Sequence, residues 1–300
     1  MTIVADKGRG AGLALAALGA IAFSGKAIIV KLAYRHGVDA VTLIMLRMLF
    51  ALPLFLGMAW WAGRGRAALT RRDWVGVAGL GFSGYYLSSF LDFAGLAYIT
   101  ASLERLILYL NPTLVLLLGW VIYRRRITVW QAAGMAISYA GALLVFGHEV
   151  TLGQTRAAAW GTLLVFLSAV SYALYLIASG EFVKRLGSLR LVGLATSVAC
   201  VLCIVQFLLL RPVGSVLALA PPVIWLSLLN ATVCTALPVL AVMMAIERIG
   251  PAMAAQTGMV GPVSTILMGV VILGEPFTAW TATGTLLVIA GIFVFTRTGR

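Results

Sequence analysis

The chain has 300 residues, 62% of them hydrophobic with 32 Gly besides, and only 10% charged. Soluble domains run at about 25% charged and about 45–50% apolar with glycine included, so this composition excludes an ordinary soluble globule and makes lipid the main solvent. The formal net charge of +13 raises nucleic acid as a partner, which the placement of the charges excludes below.

A helix crossing about 30 Å of hydrocarbon needs about 20 apolar residues. Runs of that length, bounded by charge, Gly or Pro, predict ten spans: 11–33, 40–62, 73–98, 101–123, 128–147, 158–183, 190–210, 222–246, 251–273 and 278–296. The first follows Lys7 and Arg9 like a secretory signal but continues too far for one, so it reads as an uncleaved span. On its surface Gly12, Ala16, Ala20 and Ser24 form a small-residue ridge where a neighbour can approach closely. Gly79-Leu80-Gly81-Phe82-Ser83-Gly84 spells G-x-G-x-x-G, yet it lies inside an apolar span without the strand a dinucleotide site requires, so it reads as close helix packing. Cys200 and Cys203, flanked by apolar residues, read as small core residues. Asn230-Ala231-Thr232 is a formal glycosylation sequon at membrane depth and carries no meaning there.

Lys and Arg in the short loops set the orientation. Lys7, Arg9, Arg64, Arg66, Arg71, Arg72, Arg124, Arg125, Arg126, Lys184, Arg185, Arg190, Arg248, Arg297 and Arg300 fall on one side, and only Arg35, Arg156 and Arg211 on the other. The excess positive charge is therefore a topology signal, with both termini cytoplasmic in a bacterial inner membrane, and no nucleic acid is expected as a partner.

The chain repeats itself at an offset of 150 residues. Ile99 matches Ile249, Pro112 Pro262, Gly119 Gly269, Thr128 Thr278, Trp130 Trp280, Gly134 Gly284 and Gly141 Gly291. Residues 1–150 and 151–300 are thus two five-helix repeats of one integral membrane unit. An odd number of spans per copy turns the second upside down. The loop chemistry agrees, because Arg124, Arg125 and Arg126 correspond to Gly274, Glu275 and Pro276. The fold class is an all-α membrane protein, with a substrate site expected near the midplane where the inverted halves meet.

This architecture, with Asn111-Pro112 in the fourth span, Gly261-Pro262 in the ninth and Gly274-Glu275-Pro276 before the tenth, resembles the EamA type of the drug/metabolite transporter superfamily. Within it, the stretch from Glu104 to Thr113 is most similar to YddG-like amino-acid exporters. The resemblance implies a cavity enclosed by the first, third, fourth, sixth, eighth and ninth helices, with the fifth and tenth to one side.

No catalytic constellation is present: His36 and His148 lack metal-ligand partners at helical spacing, and no Ser or Cys has a base beside it in sequence, so neither an enzyme nor a metal or other cofactor is expected. Charges inside the spans are functional hypotheses by default. Lys26, Lys31, Arg47, Asp92, Glu104 and Arg105 all lie in the first repeat, toward the end of the spans away from the termini, and predict a hydrated mixed-charge vestibule open to the outside. The plainer alternative pairs Arg105 with Glu104 or Asp92 and lets Lys31 snorkel to the headgroups. Tyr85, Ser88 and Asp92 share a face of the third helix and Glu104, Leu108 and Asn111 one of the fourth, while Tyr172 and Tyr175 are three apart on the sixth. With Ser24, Asn230 and Gln256 these are the expected cavity residues. Trp60, Trp61, Trp74, Trp130, Trp160, Trp225 and Trp280 read as interfacial anchors. The expected function is export of a neutral or aromatic amino acid by a carrier, acting as a monomer in the bilayer. A drug or other small solute, or a nontransporting membrane subunit or lipid-handling module, are the alternatives. Pro112 and Pro262, each removing a backbone bond to Leu108 or Gly258, are the expected hinges.

Overall fold

Hydrocarbon offers a backbone amide no partner, so a spanning chain satisfies its amides internally, as helices or a closed barrel. The computed structural model takes the first course, with no strand among its described residues. These are 2–124, 127–151, 155–258 and 260–297. The side chains of 2–9, 123, 149–151, 155, 247, 250–252, 255–256 and 295–297 lie outside the description.

In chain order come α1 (Thr2–Tyr34), α2 (Ala40–Gly63), α3 (Arg71–Leu80), α4 (Ser88–Leu96), α5 (Ala101–Leu108), α6 (Asn111–Tyr123) and α7 (Val129–Thr151). The second half holds α8 (Thr155–Leu186), α9 (Ser188–Leu210), α10 (Pro221–Ala231), α11 (Leu237–Thr257), α12 (Val260–Met268) and α13 (Ala279–Arg297). A π-helical stretch, Gly81–Leu87, joins α3 to α4 as one span, and Thr232–Ala236 joins α10 to α11. The ninth span is α12 continued by the π turn Gly269–Leu273. Seven spans are long and apolar enough to cross a bilayer by themselves, and Val260–Leu273 and Ala279–Val294 are shorter apolar helices.

Side-chain caps satisfy the free amides at several helix starts. Asp39 accepts from Val41 and Thr42 at α2, Thr70 and Asp73 form a reciprocal box at α3, and Thr100 accepts from Leu103 at α5. At α2, burial alone would raise the Asp39 carboxyl, but hydrogen bonds from Thr42 and Arg211 outweigh it and hold the group below the usual carboxylate range. Residues 247–250 keep helical backbone, so no loop separates the eighth span from the ninth at the predicted break. Gly250 stands where the first repeat has Thr100 and brings no capping hydroxyl. The chain still reverses there: a Cβ on Gly19 would meet Val242 and one on Gly12 would meet Ile249, while Ser24 bonds the Gly261 carbonyl at 2.8 Å.

The repeat is visible in the backbone. Arg124 closes α6 in the left-handed region at φ 52°, as Gly274 closes the ninth span at φ 72°. The π stretches at 81–87 and 232–236 are also repeat-related. Equivalent helices run antiparallel, which is the inversion. Gly63, at the end of α2, approaches Arg190 near the start of α9, and Asp39 before α2 meets Arg211 after α9 at 3.4 Å. In the same way α7 crosses α13 through glycines: a Cβ on Gly141 would lie 2.6 Å from the Gly284 carbonyl oxygen, and one on Gly291 would lie 2.6 Å from that of Gly134. These two pairs exchange under the offset of 150, so the pseudo-two-fold axis passes between them. Both α2–α9 and α7–α13 are extensive pairings across that axis, and α1 packs along α11 and α12 as α8 packs along α4, α5 and α6. The seven interfacial tryptophans are each more than half exposed.

Candidate functional site

Two spans are broken near mid-depth, and polar side chains repair the breaks. The fourth span ends one helix at Leu108 and starts another at Asn111. Pro112 therefore sits in the first turn of α6, where its missing N–H belongs to the unsatisfied set in any case, and not inside a continuous kinked helix as expected. Pro262 likewise occupies the first turn of α12. The carbonyls of Leu108 and Gly258 do find donors from outside the regular ladder, Asn111 Nδ2 at 2.9 Å and Tyr109 Oη at 3.0 Å. Across the bundle, the π stretch 81–87 leaves backbone oxygens that α8 serves: Ser171 donates to the Ser83 carbonyl at 2.8 Å and Ser168 to that of Ser88 at 2.7 Å.

Between these breaks lie the in-span charges, and they are buried. Lys26 Nζ stands 2.5 Å from Asp92 Oδ2 and 3.2 Å from Glu104 Oε1. Arg105 donates through Nε to Thr265 at 2.8 Å and through Nη2 to the Phe23 carbonyl at 3.3 Å. Arg47 donates through Nε to Thr235 at 3.1 Å. All five charged residues are at most 6% exposed, and Glu104 is fully enclosed. This overturns the expected outward vestibule. It also overturns the carboxylate pairing of Arg105 and the snorkelling of Lys31, whose ammonium instead reaches the Leu96 and Ile99 carbonyls at 3.3 and 2.9 Å. The physical reason is the availability of helix-end carbonyls and threonine hydroxyls on neighbouring helices, which satisfy a cation without moving it to water.

A central pocket of about 280 Å³ is lined by Arg47, Tyr85, Ser88, Asp92, Leu108, Asn111 and Tyr172, with Lys26 and Arg105 reaching it. It shares Phe23, Tyr85, Arg105, Tyr109 and Tyr172 with a cavity of about 440 Å³ that continues past Ser24 and Tyr175 to Val183 and Ser188. Val183 and Ser188 flank the α8–α9 turn, on the face that carries the start of α1 and the end of α13, here called the terminal face. The phenols form one array: Tyr85 and Tyr175 exchange a hydrogen bond at 3.1 Å, and the Tyr172 and Tyr175 rings stack at 5.4 Å. Three residues lining the central pocket each carry a buried polar atom without a hydrogen-bond partner among the described residues: Arg47 Nη1, Asp92 Oδ1 and Asn111 Oδ1.

The opposite face is shut. Glu275, reaching over from the loop before α13, accepts from the amides of Ala101 and Ser102 at 2.7 and 3.3 Å and from the Ser102 hydroxyl at 2.8 Å. It thereby caps the start of α5 with a carboxylate, where the helix dipole favours one. Gly269 leaves room for this, since a Cβ there would meet Glu275 Oε2 at 2.8 Å. Arg35 donates to the Leu273 carbonyl at 2.6 Å and Tyr34 to that of Phe93 at 2.5 Å.

Of the expected residues, Ser24, Tyr85, Ser88, Asp92, Leu108, Asn111, Tyr172 and Tyr175 come together at the two cavities. Glu104 lies one layer behind, Asn230 is buried on α10 away from both cavities, and the Gln256 side chain is outside the described residues. Lys26, Arg47 and Arg105 belong to the site although the face-by-face reading passed over them; their charge at membrane depth was the signal. Thr235 and Thr265, which hold the arginines, and Tyr109 gave weaker signals or none. Of the G-x-G-x-x-G glycines, Gly81 and Gly84 pack closely, a Cβ there lying 2.5 Å from the Ala195 carbonyl oxygen and 2.3 Å from the Tyr175 ring, whereas one on Gly79 would meet nothing within 4 Å. Cys200, Cys203 and Cys234 are buried and free.

Residues 10–147 and 159–297 each match the profile of the EamA-like transporter family. An uncharacterised transporter of Bacillus subtilis, YcbK, is 29% identical over 88% of this chain and 86% of its own. Another uncharacterised transporter, of Archaeoglobus fulgidus, is 21% identical over 94% and 96%. A crystal structure aligns with a TM-score of 0.62 at 19% identity, covering 97% of this chain and 99% of that one, a likeness of fold.

Proposed function

The chain belongs to the EamA-like transporter family, and from that premise we propose that this multi-pass membrane protein exports neutral amino acids with large side chains by alternating access. The observation that supports the substrate class is the set of unpartnered polar atoms carried by residues that line the central pocket. Arg47 Nη1 is a donor without an acceptor, and Asp92 Oδ1 and Asn111 Oδ1 are acceptors without a donor. Each such atom costs about 1–3 kcal/mol when buried unsatisfied. A zwitterion brings a carboxylate for the first and an ammonium for the others, and Phe23, Phe55, Tyr85 and Tyr172 surround the rest of the solute. Direction follows from the loop charges, which make the terminal face the cytoplasmic one by the positive-inside rule. The cavity opens there, so it is poised to load from inside. The broken fourth and ninth spans, with Pro112 and Pro262 opening their second halves, supply the moving elements. A monomer in a bacterial inner membrane suffices, because both halves of the site are in one chain.

The test is purified protein in liposomes with labelled L-phenylalanine and L-leucine, competed by phenylpyruvate and phenethylamine. Both amino acids are transported, and the analogues lacking the ammonium or the carboxylate compete at least about tenfold more weakly, the equivalent of about 1.4 kcal/mol. Equal competition by either analogue, or transport of cationic drugs in place of amino acids, overturns the reading.

A further inference from the structure

Two carboxylates at the centre of the bundle face one ammonium. Lys26 Nζ contacts both Asp92 and Glu104, and among the described residues no other cation lies within ion-pair distance of either. The groups facing the pair can be named element by element. From α1 come Lys26 and Tyr34, whose hydroxyl donates to the Phe93 carbonyl beside Asp92, from α2 Arg47, and from α5 itself Arg105; α8 brings Ser168 and Tyr172 to the neighbouring pocket and α12 brings Thr265. The two guanidiniums are turned to other acceptors, Arg47 to Thr235 and Arg105 to Thr265 and the Phe23 carbonyl. Both arginines keep their charge on neutral acceptors nearby, but only Lys26 contacts the carboxylates, so the two carboxylates share a single ammonium. Asp92 Oδ1 and both Glu104 oxygens lack an ordinary hydrogen bond.

A buried carboxylate without a contacting cation of its own is costly to keep ionised, and taking up a proton relieves that cost. Like charges sharing a site drive the same outcome, the proton belonging to the pair and not to either residue. We infer that Asp92 and Glu104, bridged by Lys26, form the binding site of a coupling proton, and that the substrate's ammonium displaces it. This rests on the amino-acid carrier reading above and adds its energy source. Asp92 lines the pocket while Glu104 is sealed behind it, so the proton enters and leaves by way of Asp92. On loading, the N–H groups of the ammonium take the place of the O–H, and the proton passes to cavity water at the cytoplasmic face. After release at the opposite face, a proton from that side refills the pair and the carrier returns. No bond to carbon changes. One zwitterion leaves for each proton entering, so each cycle carries one positive charge inward and responds to membrane potential as well as to the pH gradient.

Calorimetric titration of the purified carrier with L-phenylalanine in buffers of different ionisation enthalpy counts the protons released, between about pH 5.5 and 8.5. One proton leaves per molecule bound at the acid end, and the apparent affinity there falls about tenfold per unit drop in pH. E104Q binds phenylalanine without releasing a proton and with pH-independent affinity. D92N, losing an ammonium acceptor as well, binds at least tenfold more weakly. Infrared difference spectra of the empty carrier provide a readout that needs no substrate: a protonated-carboxyl band that appears on acidification and is absent from E104Q and D92N. Binding that releases no proton, or a carboxyl band unchanged in both variants, overturns the inference. If phenylalanine and leucine fail to bind while the band behaves as stated, it is the amino-acid reading that falls and the proton site that stands.

Discussion

The two halves share a backbone and divide the chemistry. At the offset of 150, Lys26 corresponds to Leu176, Arg47 to Ser197, Asp92 to Val242, Glu104 to Ala254 and Arg105 to Ala255, so none of the five buried charges of the site has a charged counterpart. What the second half contributes instead is Thr235 and Thr265, which hold the two arginines, and Glu275, which shuts the face away from the cavity. Geometry that must be symmetric, such as the left-handed turns at 124 and 274 and the glycine crossings of α7 and α13, has stayed symmetric. Lipid constrains helix length and packing in both copies alike, whereas a single central pocket needs only one set of charges.

That division can be broken most severely at Lys26. Lys26→Met leaves two buried carboxylates without their cation and lowers stability by about 3–5 kcal/mol. Leu176→Met, at the equivalent position, costs under about 1.5 kcal/mol. Denaturant unfolding in detergent compares the two, and equal losses would erase the asymmetry. A second, smaller effect is expected at the closed face. Glu275→Ala removes the carboxylate that caps α5, an interaction of about 1.5–3 kcal/mol, and shifts the equilibrium toward opening at that face by about tenfold or more. The readout is the labelling rate of a cysteine at Leu108 by a membrane-impermeant reagent added from the side opposite the terminal face; an unchanged rate would make Glu275 a static cap.

The symmetric features predict symmetric losses. Gly141→Ala and Gly291→Ala each press a methyl group onto a facing carbonyl and cost about 1–3 kcal/mol apiece, with transport per folded molecule retained because α7 and α13 line neither cavity. Melting temperature and liposome uptake measured on the same preparations check both statements. The mildest change tests the paired turns. Arg124→Gly gains about 1 kcal/mol by relieving the positive φ that Gly274 already tolerates, and Gly274→Ala loses a similar amount.

Spans, repeat and inversion were legible because bilayer thickness imposes a length that can be counted, and because Trp130 with Trp280 and Gly141 with Gly291 kept register without a gap. The depth of each charge was legible too. Its partner was not: sequence places Lys26 and Arg105 at similar heights but does not say which way each turns, and Arg105 found Thr265, 160 residues away, where a carboxylate next door had been expected. Pro112 was misplaced for a local reason. The break falls at Tyr109 and Leu110, which carry no Gly or Pro, so the proline looked like the middle of a helix when it was the beginning of one.

Lys26 also has a history within each molecule's synthesis. Its partner Asp92 lies 66 residues further along, so at about 5–20 residues per second the ribosome has released Lys26 some seconds before any carboxylate exists to receive it. A lone lysine at mid-span costs about 2.5–3.5 kcal/mol to insert, and the first span meets that cost with 25 residues of mean hydropathy 2.1. Until the third span arrives, the nascent protein is a helix carrying an unanswered charge, held by lipid alone. A chain interrupted in that interval keeps a buried lysine without its carboxylates, which come only with the third and fourth spans.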